Sequence, residues 1–109
     1  MTDSEKKQLL QQLDIAHDFY DGVYYKALED MGDLKTDYYT YSITQPMNCD
    51  DELKRLPHAD YELCTALLTM LLREDHFSNG SFMRRGRSGQ VQPIIDRMIE
   101  LLGMDVTLS

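Results

Sequence analysis

The chain has 109 residues, of which 42% are hydrophobic and 28% charged, and its 19 acidic against 11 basic side chains give a formal net charge of −8. This size holds one domain, 1–109, and the composition is that of an ordinary soluble globular protein. The negative charge argues against general binding to nucleic acid or an anionic membrane. No apolar run approaches the ~20 residues that span a bilayer, and Met1 leads into Thr-Asp-Ser-Glu rather than a basic and then apolar segment, so a cytoplasmic location is expected.

Thr2 and Glu5 stand at the spacing of a capping box, at the head of a long helical pattern. Leu9, Leu13, Ala16, Tyr20, Val23 and Ala27 follow at alternating steps of four and three, which predicts one long N-terminal helix ending at Met31-Gly32. Gly22 costs about 1 kcal/mol inside a helix, so two helices meeting near Asp21-Gly22 stay open. The seam is expected to pack on the central helix or to pair with a second copy of the chain. From Thr36 to Thr44 the period changes to two, with Tyr39, Tyr41 and Ile43 on one face, which predicts a strand. The other alternating stretch, Met104 to Leu108, is its expected partner in a two-stranded β element. Pro46 to Pro57 reads as a connector with a short helix over Asp51–Leu56, capped by Asn48 or Asp50.

Tyr61 to Leu72 carries apolar residues over most of its circumference, the pattern of a helix in the middle of a fold. Asp60 is its expected N-cap and Ser78-Asn79-Gly80 its stop. Gly80 to Gly89 predicts a short helical turn with Phe82 and Met83 inward. Val91, Ile94, Ile95, Met98, Leu101 and Leu102 then share one side of a C-terminal helix, which Pro93 places near Gln90 at its start and Gly103 near its end. The fold class expected is mainly α, with a long N-terminal, a central apolar and a C-terminal helix plus the minor β element.

Leu67-Leu68, Arg73, Phe77, Gly80, Gly89, Val91, Ile94-Ile95 and Arg97-Met98 together resemble a bacterial family of domains of unknown function, numbered sixty-five-oh-eight, over roughly the last 45 residues. The resemblance implies no activity and no site residue. Arg84, Arg85 and Arg87 depart from the usual family pattern, so a role for them would be private to this chain.

Those three arginines, with Gly86 and Gly89, lie just before a helix start and suit a phosphate or carboxylate. The bland alternative is that they neutralise the acidic front: residues 1–72 hold 6 basic and 14 acidic groups, residues 73–109 five of each. The spacing is not that of a phosphate loop. Asp14, His17 and Asp21 share a helical face that a divalent metal can use, although a solvated acidic face reads more simply. His58 with Asp60 and Asp75 with His76 pair an imidazole with a carboxylate but have no nucleophile at a recognisable spacing. Cys49 and Cys64 read as ordinary thiols, and no cofactor is implied. Tyr20, Tyr24, Tyr25, Tyr39 and Tyr41 supply either aromatic core or an interface. The function expected is therefore a non-enzymatic protein-interaction module that admits a homodimer. Its alternatives are an accessory binder of nucleic acid or nucleotide through Arg84, Arg85 and Arg87, and a metal-dependent enzyme.

Overall fold

A computed structural model describes the backbone of residues 1–16 and 19–108 and the side chains of residues 1–13 and 19–103. The described chain is mainly helical: α1 (Asp3–Ala16), α2 (Asp21–Met31), α3 (Cys49–Leu53), α4 (Tyr61–Phe77), α5 (Ser81–Arg87) and α6 (Gln92–Leu108), with single 3₁₀ turns at Tyr38–Thr40 and Leu56–His58.

Helix α4 is the axle. Every residue from Cys64 to Leu72 is buried, so no side of this segment faces water. Its two polar members are satisfied locally: Thr65 Oγ1 donates to the Glu62 carbonyl and Thr69 Oγ1 to the Thr65 carbonyl, each at 2.8 Å. Asp60 caps the helix by accepting from the Leu63 amide at 2.8 Å. The chain leaves it at Ser78, and Gly80 turns the backbone through φ +85°, a region glycine enters without a Cβ clash. Around α4 lie α2, α3, α5, α6 and the first 3₁₀ turn. Phe82 of α5 and Ile94, Ile95 and Met98 of α6 are fully buried against it, whereas Met83 is only half-buried.

Three expectations need correction. The N-terminal pattern is two helices rather than one. Phe19 has φ +57°, which an α-helix cannot contain, and the chain folds back there. A continuous helix over that span would run about 40 Å; broken, it buries Leu10 and Leu13 of α1 as well as Tyr24 and Leu28 of α2 in one core. The seam divides accordingly: its α1 part packs chiefly on α6 and α2, and its α2 part on α1 and α4. The Thr2–Glu5 capping box is present, with the Glu5 amide 3.2 Å from Thr2 Oγ1 and the Thr2 amide 3.0 Å from Glu5 Oε1.

The two-stranded element is absent among the described residues. Tyr38–Thr40 is a 3₁₀ turn, whose three-residue period points Tyr38 and Tyr41 toward the core and leaves Tyr39 and Thr40 outside. At the other end α6 runs through Gly103 to Leu108. A glycine weakens a helix by about 1 kcal/mol but does not stop it when no proline or left-handed turn follows.

Side-chain ties join the elements. Asp33 receives the Lys6 ammonium at 3.0 Å and the Tyr61 hydroxyl at 2.6 Å, linking α1, the end of α2 and α4. Burial and the bond to Asp33 hold the Tyr61 phenol well above its usual range. The Phe19 ring stacks at 6.2 Å on Tyr24, which meets Phe82 edge-on at 5.1 Å. Gly86 lets Phe19 in: a Cβ there would stand 2.1 Å from Phe19 Cγ.

Candidate functional site

Residues 37–47, within the connection from α2 to α3, have no regular element beyond the 3₁₀ turn, and what fixes them is a carboxylate. Asn48 caps α3 by accepting from the Asp51 amide at 3.0 Å, and the next residues set Glu52 on the inner side of the helix, 1% exposed. Glu52 Oε2 accepts from the backbone amides of Ile43 (2.9 Å) and Thr44 (2.8 Å) and from the Thr44 hydroxyl. Its other oxygen accepts from Arg55 Nη1 at 2.8 Å, and the same nitrogen donates to the Tyr41 carbonyl at 2.6 Å. Burial pushes the Glu52 carboxyl up, but the bonds from Thr44, Arg55 and the two amides outweigh it and leave the group below its ordinary value. Lys35 adds a second tie, pairing with Glu62 while its ammonium lies 5.9 Å from the Tyr41 ring centre.

The consequence is a loop held from beneath that turns apolar groups outward. Tyr39 is 66% and Ile43 70% exposed. The Tyr39 ring rests edge-on against Tyr38 at 5.9 Å. A shallow groove of about 440 Å³ runs beside Ile43, between Tyr41, Arg55, His58 and Leu63, with Asp60 on its wall.

The expected interface tyrosines divide. Tyr20 and Tyr39 are exposed, whereas Tyr24 lies in the core at 1% exposure and is corrected to a packing residue. Tyr25 is half-buried with the Arg73 guanidinium 5.7 Å from its ring centre, and Tyr41 is half-buried in the loop.

The arginines divide as well. Arg85 is only 15% exposed and grips Glu74 with two bonds, Nε at 2.6 Å and Nη2 at 2.8 Å, while Nη1 meets Asp50 at 2.7 Å and Gln90 Oε1 at 2.6 Å. It is the internal counter-charge between α3, α4 and α5, and its guanidinium holds the Glu74 and Asp50 carboxyls below their usual range. Arg84 is exposed, with bonds of 3.3 Å to the Asn79 carbonyl and Ser78 Oγ. Arg87 is exposed and also engaged.

The imidazole–carboxylate pairs dissolve into caps. Asp60 serves the α4 amides, and Asp75 Oδ1 accepts from the Phe82 amide at 3.1 Å. Burial pushes the thiols up, Cys49 to about 12 and Cys64 to about 11. The Asp14 and His17 side chains lie outside the described residues, so the Asp14, His17 and Asp21 face is not described; among the described residues no group of His, Cys, Asp and Glu is arranged to hold a metal. Also among the described residues, no helix is long and apolar enough to cross a membrane.

Sequence reasoning missed Glu52 and Ile43 as a pair. The only sequence signal was a short helix with an asparagine cap, since the contact joins residues eight and nine positions apart with no periodicity to mark it.

Comparison with curated proteins and with solved structures returns no match. A family model matches residues 4–103, which extends the resemblance from the last part of the chain to most of it. The matched residues include both α1 and the α6 helix it packs on. The chain belongs to the family of unknown function DUF6508.

Proposed function

We propose that this chain is a non-enzymatic protein-interaction module that docks an apolar, basic segment of a partner protein on the 37–47 loop. The observation that carries the reading is the pair Tyr39 and Ile43, both exposed, on a loop whose backbone is fixed by the buried Glu52. A loop already ordered loses little entropy on binding, and covering one Ile-sized side chain contributes roughly 2 kcal/mol. The partner's charge follows from the surroundings: Asp37 and Asp60 are exposed beside the loop and the whole chain carries −8. A cation over the Tyr39 face, two positions from Asp37, is the complementary group. The same charge disfavours a second copy of the chain.

The test is selection from a displayed library of random peptides, run in parallel on the wild type and on a Tyr39→Ser, Ile43→Ser double variant, with light scattering on the unliganded protein. Enrichment of peptides pairing Lys or Arg with aromatic or aliphatic residues on the wild type, lost on the double variant, supports the reading. Equal enrichment on both proteins overturns it. A dimer that the double variant dissociates makes the partner a second copy instead.

A further inference from the structure

A second groove, of about 380 Å³, lies at the α4–α5 corner. Glu74 lines it, yet both its carboxylate oxygens already accept from Arg85, so the two charges cancel toward anything in the groove. Gln90 Oε1 also accepts from Arg85, which orients the amide and leaves its NH₂ group outside that bond. Ser78 Oγ accepts from Arg84 and keeps its own hydrogen to give. Arg84 makes two long bonds, 3.3 Å each, and a guanidinium has five N–H groups. Ser81, a residue 6% exposed, lies against Glu74 and helps keep that carboxyl ionised, so its hydroxyl is not one of the groove's free donors. Ser88 spends its hydrogen on the Arg85 carbonyl at 3.1 Å and adds no donor.

From this we infer that the groove binds a small tetrahedral oxyanion, free or as the phosphoryl group of a small molecule, with Arg84 supplying the charge and Ser78 and Gln90 the neutral donors. Arg85 positions Gln90 and does not touch the ligand. A polyanion fits poorly: Arg85 is already paired with Asp50 and the chain as a whole is acidic. The site is independent of the loop proposed for protein docking, since it shares no residue with it.

The experiment is an amide NMR titration of the full chain with inorganic phosphate and with phenyl phosphate, at ionic strength held constant with chloride. Saturable shifts at amides within residues 78–90 are expected, with affinity about tenfold weaker in Arg84→Gln and about threefold weaker in Ser78→Ala. Both side chains are exposed, so these variants keep the fold. Tighter binding of phenyl phosphate assigns a phosphomonoester and equal binding assigns the free anion. Shifts that chloride alone reproduces, or that Arg84→Gln leaves unchanged, overturn the site. Tighter binding of a short single-stranded oligonucleotide than of either small phosphate would replace it with a nucleic-acid surface.

Discussion

Helix α4 and the 37–47 loop are both well-fixed parts of the molecule, and they are fixed by opposite means. In α4 nine consecutive residues are buried, and the apolar contacts that hold them need no particular partner atom. The loop has almost no core of its own; three donors from Ile43 and Thr44 converge on one carboxylate oxygen of Glu52. Apolar burial orders a segment by hiding its side chains, whereas capture of the backbone orders it with side chains left outside. The docking proposed for Tyr39 and Ile43 would be served by the second.

The largest effect that would sharpen the contrast is in the axle. Leu68→Ala, at a position 1% exposed, should cost about 3 kcal/mol and lower Tm by roughly 10–20 °C, and hydrogen exchange should quicken throughout the core in a single cooperative unit. Next comes Gly86→Ala. The new methyl would meet the Phe19 ring, which is wedged between Gly86 and Tyr24, so a loss of about 2 kcal/mol is expected. Phe19→Ala in the same background should recover part of it, and calorimetry of the two variants and their combination measures the coupling.

What the residues revealed in advance follows the same division. The α4 stripe, its Asp60 cap, the Ser78-Asn79-Gly80 stop and the α6 period were legible, because each rests on contacts within a few positions of sequence. The Thr36 to Thr44 alternation misled because a period of two also arises by chance in a short irregular loop. Only the distant Glu52 shows that the backbone donors there go to a side chain and not to a neighbouring strand. The N-terminal seam misled in another way: its spacing is helical on both sides of the turn, and the reversal at Phe19 leaves no break in the apolar pattern. At the candidate site, Arg84 and Arg85 are adjacent and identical in type. Their different fates, one exposed and one gripped by Glu74 and Asp50, come from partners 11 and 35 residues away.

A smaller, local effect is expected from Glu52→Gln. The amide retains one oxygen but loses the charge and the ionic bond from Arg55, at a cost of about 1–2 kcal/mol. Exchange of the Ile43 and Thr44 amides should rise well before that of α4. The pH dependence carries a definite sign. Glu52, like Glu74, has its carboxyl held below the unfolded value of 4.5, so the stability it contributes is complete above that pH and is lost as pH falls through the lower folded value. The loop should therefore loosen in acid in the wild type, and Glu52→Gln should remove much of that dependence. If acid leaves the Ile43 and Thr44 amides as protected as at neutral pH, the carboxylate is not what holds the loop.

The smallest change in stability separates presentation from support. Ile43→Ser alters a side chain that is mostly in water, while its backbone amide keeps the bond to Glu52, so Tm should shift by no more than the ±0.5 kcal/mol typical of surface positions allows. Peptide binding at the loop should nevertheless fall about tenfold or more, as it does when a central anchor is lost from an interface. Glu52→Gln should also weaken that binding, but through disorder of the loop, so the loss should grow with temperature and shrink in conditions that stabilise the fold. A side chain that matters for binding and not for stability, standing on a carboxylate that matters for both, is the arrangement a docking loop requires. If Ile43→Ser costs as much stability as Glu52→Gln, the exposed face is part of the fold's own packing and the two regions differ less than their contacts imply.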